Sequence, residues 1–355
     1  MNIAISKVTT DTMMSTKRLI VIVGPTGSGK TDLSISIAEH YSAPIISTDS
    51  RQFYRGIPIG TAQPDAEQLQ RVEHHFIASH ELTQDFNCGA YETEALQRLE
   101  QLFQSHDVVI AVGGSGLYVK ALCEGMDDMP EADAELREQL ATKLQNEGLA
   151  PLCERLRQLD PDFYAKVDLK NPARVLRALE VCLSTGKKYS ELRTGKRQKR
   201  DFDIIKIGVD MPRDILYDRI DRRVDIMVEQ GLEQEARNVN HLRHLNSLQT
   251  VGYREMFDYF DGKISRDEAI ELIKRNSRRY AKRQLTWFRR DEEIEWFNPS
   301  EIEKITTPPN LRLQNFFPLS KQTAQRRCST CAIRRQAPLT KSEPTLSSTT
   351  PTTQP

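Results

Sequence analysis

Four short apolar runs punctuate the chain: RLIVIVG at 18–24, APIIST at 43–48, DVVIAVGG at 107–114 and DIIKIGVD at 203–210. Runs of this length, rich in β-branched residues and closed by glycine or a polar residue, predict buried strands. After the first run comes TDLSISIAEHY, where Leu33, Ile37 and Tyr41 recur at helical spacing. Strands separated by helical stretches imply βαβ units and a parallel sheet flanked by helices, an α/β fold. Between the third and fourth runs, Leu136, Leu140 and Leu144 and then Leu152, Leu156 and Leu159 repeat as on helices. That stretch predicts a small helical insertion. Beyond residue 210 the pattern is mostly helical to about residue 295.

The expected division follows from these patterns. Residues 1–17 form a loose leader, 18–125 the first part of the α/β core and 126–201 the helical insertion. Residues 202–305 complete the core. Residues 306–355 hold seven Lys/Arg and one acid, have no apolar period and end in SEPTLSSTTPTTQP, so a disordered tail is expected.

Composition adds little. Lys+Arg and Asp+Glu tie at 50 each over 355 residues, so bulk charge names no partner. The cysteines at 88, 123, 153 and 182 are too far apart for a metal spacing or an obvious disulfide framework. Cys328 and Cys331 have zinc-ligand spacing, but no histidine follows His244 and no further cysteine follows, so no zinc is expected. No apolar run reaches transmembrane length, and the N-terminus lacks a signal-peptide core. A cytoplasmic, reduced protein without a membrane partner is expected. Nothing calls for an obligate protein partner, and a monomer is the default.

The chemistry begins at GPTGSGKT: Gly24, Pro25, Thr26, Gly27, Ser28, Gly29, Lys30 and Thr31. It follows a predicted strand and opens a predicted helix, the context of a phosphate loop, whose usual occupant is a nucleoside triphosphate. Its glycines let backbone N–H groups and the helix N-terminus face an anion. Lys30 would reach the terminal phosphates, and the Thr31 hydroxyl would contact Mg²⁺ directly or through water. Asp49 stands just past the second strand. In open α/β sheets ligands bind beyond the carboxyl ends of the strands, so Asp49 faces the same cleft. It would bind magnesium, take a proton, or simply cap a helix or turn. GGSGLYVKAL at 113–122 closes the third strand in the same manner and offers the Ser115 hydroxyl.

Two stretches are strongly basic. ELIKRNSRRYAKRQLTWFRR, 271–290, has eight Lys/Arg and one acid. Lys274, Arg278 and Lys282 form one row at spacing four; Arg275, Arg279 and Arg283 form a second beside it. Tyr280 and Trp287 fall on a face suited to core packing. KKYSELRTGKRQKR, 187–200, has seven basic residues and one acid and ends the insertion. Two unbalanced basic surfaces beside a phosphate cleft point to a folded RNA. The stretch 210–232 carries Arg219, Arg222 and Arg223 among Asp218, Asp221 and Asp225. It reads either as arginines aimed at a leaving pyrophosphate or as a surface helix of Asp–Arg pairs.

GPTGSGKT, STDSRQFYRGIPIGTAQP, VGGSGLYVKAL, NPARVLRALEV, VGYREMF and YAKRQLTWFRR, in that order over roughly residues 18–298, resemble the tRNA dimethylallyltransferases, also called tRNA isopentenyltransferases. DSRQFYRGIPIGTAQP is the most specific piece, because ordinary P-loop kinases lack it. The resemblance implies a P-loop NTPase-like sheet and transfer of a dimethylallyl group from dimethylallyl diphosphate to N6 of the adenosine 3′ of the anticodon, position 37. Mg²⁺ is the implied cofactor. The loop would hold the isoprenoid diphosphate in place of ATP. By similarity Asp49 is the general base, and Ser50, Arg51 and Gln52 help hold the target base. Ser115 and Arg223 join the loop in stabilising diphosphate. Arg137, Ala173, Arg174 and Arg177 of the insertion, with Lys274, Arg278, Arg279, Lys282 and Arg283, fall at RNA-contacting places. Threonine is common in the family where Ser115 stands, and glutamine where Ala173 stands. Within the same fold the rival substrate is free AMP, ADP or ATP. Outside it the rivals are a P-loop kinase and an RNA-binding protein with a vestigial loop. DSRQFYRG and the basic stretches argue against all three.

Overall fold

The computed structural model describes residues 17–130 and 133–299. The expected leader, apart from Lys17, and the expected tail lie outside the described residues. So do Cys328 and Cys331.

The four apolar runs are strands β1 (Arg18–Val23), β2 (Ile45–Ser47), β4 (Val108–Gly113) and β5 (Asp203–Val209). Two more strands have no apolar run behind them: β3 (His74–His75) and β6 (Ile294–Phe297). The six form one parallel sheet in the order β3-β2-β4-β1-β5-β6, so the additions are its two edges. Central strands are covered on both faces and read as continuous apolar runs, whereas edge strands need not be. Leu19, Val21 and Val23 are each 0% exposed; His74 and His75 are half-buried.

Helices α1 (Lys30–Tyr41), α2 (Pro58–Thr61), α3 (Ala66–Arg71), α4 (Cys88–Phe103) and α5 (Gly116–Glu124) connect the first strands. The insertion contributes α6 (Ala134–Glu147), α7 (Leu149–Leu159), α8 (Pro161–Tyr164), α9 (Pro172–Thr185) and α10 (Tyr189–Leu192). Its leucine rows meet: Leu140, Leu152 and Leu156 pack with Phe163, Val175 and Leu179 in an apolar cluster separate from the sheet's. Buried Asp160 locks the insertion's turn by accepting from the Phe163 N–H at 2.9 Å and the Ser190 N–H at 2.7 Å. After β5 come α11 (Arg213–Glu229), α12 (Leu232–Val239), α13 (Tyr253–Phe260) and α14 (Arg266–Phe288).

Register decides where the loops converge. Val23, the last residue of β1, pairs with Gly113 of β4 on one side and Gly208 of β5 on the other. Ser47 of β2 lies opposite Val112. The loops after β1, β2, β4 and β5 therefore leave the sheet at one edge. The loop after β2 is anchored from below by Phe53, fully buried against Phe76, Phe86, Tyr91 and Tyr118. Burying such a ring contributes about 1.5–3 kcal/mol. Tyr91 adds a polar tie by donating to the Ser47 carbonyl at 3.0 Å. Farther along, the Glu235 carboxylate accepts from the N–H groups of Ile59 and Gly60, both at 2.8 Å, and from the Tyr253 hydroxyl at 2.6 Å. This is the physical content of IPIG and of VGY: two distant segments meet on one buried carboxylate.

Among the described residues, no helix is long and apolar enough to cross a membrane. Cys88, Cys123, Cys153 and Cys182 are free thiols, and among the described residues no group of three or more metal-ligating side chains occurs.

Candidate functional site

The chain leaves β1 at Val23 and turns back tightly, with the Ser28 N–H donating to the Pro25 carbonyl at 3.2 Å. Gly27 and Gly29 sit at φ 81° and 84°, a region that costs any residue with a Cβ. Helix α1 then starts at Lys30 without a side-chain cap, so its first-turn N–H groups are left for an external acceptor. Lys30 Nζ folds back to the Pro25 carbonyl at 3.3 Å. Burial lowers its pKa to about 8; neighbouring Asp49 opposes that shift and Arg223 adds to it.

Asp49 lies past β2, as the strand-end rule predicts. Its Oδ1 accepts the Arg51 N–H at 3.1 Å, closing a local turn. No helix begins there, so the helix-capping alternative falls away while the turn remains. Ser115 opens α5, yet its hydroxyl does not cap that helix. It accepts the Ser50 N–H at 3.0 Å and donates to Ser50 Oγ at 3.1 Å, joining the loops after β2 and β4. Arg223 Nη1 donates to Thr26 Oγ1 at 3.3 Å, and burial lowers the guanidinium's pKa. These groups line one cavity of about 510 Å³, together with Thr31, Gly113 and Gly114. Its other wall is partly apolar, with Leu117, Tyr118, Met227, Leu232 and Ile273.

The 210–232 stretch presents its arginines on different faces. Arg223 points into the cleft, while Arg222 pairs with Asp218 on the surface. Asp221 holds Arg278 at 2.5 Å, and Asp225 holds Lys274 at 2.8 Å. The predicted stripe on α14 is therefore divided: Lys274 and Arg278 are neutralised by α11, while Arg275, Arg279, Lys282 and Arg283 stay exposed. The second basic stretch is also reduced. Arg200 is buried on Glu92 at 2.8 Å, Arg197 pairs with Glu293 at 2.6 Å, and Lys188 pairs with Asp162 at 3.1 Å. In the insertion, Arg137 and Arg177 converge on buried Glu180 at 3.4 and 3.1 Å. Ala173 and Arg174 are exposed at the start of α9. After β2, Arg51 is held by the carbonyls of Asn246 and Ser247 at 2.7 and 3.2 Å, and Gln52 by that of Ala62 at 2.8 Å.

Two cleft residues stand where a core-packing face is expected, and one more arginine of the 210–232 stretch stands at the phosphate loop. Tyr280 was expected in the core but lines the cleft, hydrogen-bonded to Ser115; burial first, and then the Asp49 charge, pushes its phenol up to about 12. Trp287 likewise lies at the cleft, 40% exposed, over Gly116. Arg219, one turn before Arg223, reaches the phosphate loop: a Cβ on Gly29 would stand 3.4 Å from its Nη2. Its spacing of four from Arg223 was the available signal.

A family model described as IPP transferase matches residues 52–291. The chain belongs to the IPP transferase family. It is 54% identical over 292 residues to tRNA dimethylallyltransferase 1 of Bacteroides fragilis (strain YCH46), covering 82% of this chain and 97% of that one. Identity to the tRNA dimethylallyltransferase of Cytophaga hutchinsonii is 52%, over 84% of this chain and 98% of that one. Among solved structures, the tRNA isopentenylpyrophosphate transferase of Bacillus halodurans superposes with a TM-score of 0.61 at 36% identity, covering 88% of this chain and 99% of that one. A eukaryotic dimethylallyltransferase acting on tRNA gives 0.71 at 26% identity, over 87% and 80%. The P-loop-type parallel sheet expected from the motif order is the fold of this IPP transferase.

Proposed function

We propose that this protein transfers the dimethylallyl group of dimethylallyl diphosphate to N6 of the adenosine immediately 3′ of the anticodon in tRNA, releasing diphosphate. The observation that carries this reading is that an acid–base group and an anion cradle share one cavity. Asp49 lines the space that also holds Lys30, Arg223 and the phosphate loop, so a base positioned at Asp49 lies beside a diphosphate held in the loop. The relatives' names point the same way and favour tRNA over free AMP.

The chemistry asks for two things. An exocyclic amine is a weak nucleophile because its lone pair is delocalised into the ring. Asp49 accepts the proton as the N–C bond forms. The allylic carbon reacts only if its leaving group is stabilised. The α1 N-terminus, Lys30 and Arg223, backed by Arg219, receive the charge that develops as the C–O bond breaks. The apolar wall of Leu117, Met227, Leu232 and Ile273 suits a five-carbon chain and excludes water from a reactive allylic centre. Ser50 and Ser115 orient the base, and Arg51 and Gln52 brace the turn that carries Asp49.

Magnesium fits this site in a limited way. The described residues hold no cluster of three ligands, but the Thr31 hydroxyl and Asp49 line the same cavity. Mg²⁺ keeps several waters and binds largely through substrate phosphates, so the Thr31 hydroxyl, directly or through water, suffices and leaves the Asp49 carboxylate for the proton. When bound, it would neutralise diphosphate charge.

On the RNA side, Arg275, Arg279, Lys282 and Arg283 meet the phosphate backbone, and the 126–201 insertion clamps the anticodon stem-loop with Arg174 exposed on α9. Arg137, Arg177, Lys274 and Arg278 brace those surfaces. The target base leaves its stack to reach Asp49. Incubation with isotope-labelled dimethylallyl diphosphate and an equimolar mixture of tRNA and AMP tests the substrate. Label is expected in tRNA; label in AMP, or in neither, overturns the proposal.

A further inference from the structure

Gln284 lies on the buried face of α14, 5% exposed. Both polar atoms of its side chain are engaged, each with a different loop. Oε1 accepts the Thr26 backbone N–H at 2.9 Å, and Nε2 donates to the Gly114 carbonyl at 2.9 Å. One carboxamide thus bridges the phosphate loop and the turn after β4. Partner chemistry fixes its orientation, since a backbone N–H only donates and a carbonyl only accepts. The fit is close, because a Cβ on Gly114 would overlap Gln284 Nε2. Each bridged residue continues into the site. The Thr26 hydroxyl accepts from Arg223, and Gly114 precedes Ser115, whose hydroxyl meets Ser50 beside Asp49.

We propose that Gln284 is a positioning residue for group transfer: by spanning Thr26 and Gly114 it fixes the separation between the diphosphate cradle and the turn that orients the acceptor base. This rests on the transferase reading above. Gln284 acts through two loops. Reacting atoms must stand near 3–3.5 Å apart in line, so a small shift of one loop against the other lowers the rate without removing either substrate.

Only a group with one donor and one acceptor satisfies both partners. An ionised glutamate presents two acceptors and opposes the Gly114 carbonyl. A protonated glutamic acid has the glutamine's shape and restores one of each. The charged and titratable groups lining the same cavity are Lys30 on α1, Asp49 and Arg51 after β2, His74 on β3, Tyr118 on α5, Arg223 on α11, Arg254 on α13, and Tyr280 and Arg283 on α14. All are present in the wild type, so their titration cancels when variant and wild type are compared at the same pH.

The test measures single-turnover transfer from dimethylallyl diphosphate with Mg²⁺ to tRNA, both saturating, for the wild type, Gln284→Glu and Gln284→Met. The tRNA Kd and thermal midpoint are recorded alongside. At pH 8 both variants are expected to slow transfer about tenfold, as for a buried hydrogen-bonding group left unpaired, with tRNA Kd within about twofold of wild type. At pH 6 Gln284→Glu should approach the wild-type rate at that pH, while Gln284→Met stays slow. Transfer by Gln284→Met within about twofold of wild type overturns the proposal. So does a loss matched by equal losses in tRNA binding or thermal midpoint, and so does a Gln284→Glu ratio unchanged between the two pH values. A wild type that leaves tRNA unmodified withdraws the transferase reading itself, a result separate from any variant.

Discussion

Lys30 gives the anion cradle a pH limit. Burial removes water from its ammonium and brings its pKa to about 8, against the pull of Asp49 and with the push of Arg223. The shift is downward, so the free protein loses this cation as pH rises through that value. With a pKa of about 8, roughly 90% of Lys30 is charged at pH 7 and roughly 10% at pH 9. If only the charged form binds diphosphate well, affinity for dimethylallyl diphosphate falls about tenfold across that range. The ligand contributes little, since a phosphate ester loses its second proton near pH ~6. Binding must then take up about half a proton per ligand at pH 8 and nearly one at pH 9. Titration calorimetry in two buffers of different ionisation enthalpy reads this directly. Lys30→Arg keeps its charge throughout and should show a flat affinity profile with no proton uptake. A wild-type affinity constant from pH 7 to 9, or a Lys30→Arg variant with the same fall, would refute the reasoning.

Other expectations follow from the ion pairs and the buried carboxylates. Arg283→Ala should weaken tRNA binding and lower the slope of log Kd against log salt by about one, while Arg278→Ala, whose charge is spent on Asp221, changes that slope much less. Filter binding over a salt series distinguishes them; equal slopes would show that α14 meets RNA through its paired face as well. Glu235→Gln turns an amide donor toward groups that are themselves donors and should cost about 2–3 kcal/mol in denaturant unfolding. A loss below about 0.5 kcal/mol would mean the Ile59–Gly60 turn is held by other contacts.

The parts of this molecule that could be read in advance are those encoded locally. Strands β1, β2, β4 and β5 announce themselves because both faces are buried, and GPTGSGKT because a phosphate loop needs several glycines within one short turn. Asp49 was placed by the rule that strand ends carry ligands. The edges were hidden: His74–His75 is too short and polar, and Ile-Glu-Trp-Phe at 294–297 carries a charge between its apolar residues. The basic stretches looked larger than they are because their counter-charges lie far away in sequence. Asp221 and Asp225 neutralise α14 across more than a helix, and Glu92 takes Arg200 across 108 residues. Gln284 meets its partners across 258 and 170 residues, beyond any motif. It did leave one trace. It sits in register with Ala281 and Phe288 on the buried stripe of α14, a polar residue where the helical period calls for an apolar one.

The central claim is that Asp49 takes the proton from N6 while the loop holds the diphosphate. The most direct test is mass spectrometry of nucleosides from tRNA treated with dimethylallyl diphosphate and Mg²⁺, wild type beside Asp49→Ala, with tRNA and donor binding measured on both. The account predicts N6-dimethylallyladenosine from the wild type and a loss of about a hundredfold or more in the variant, with both ligands still bound. Undiminished product from Asp49→Ala would contradict it.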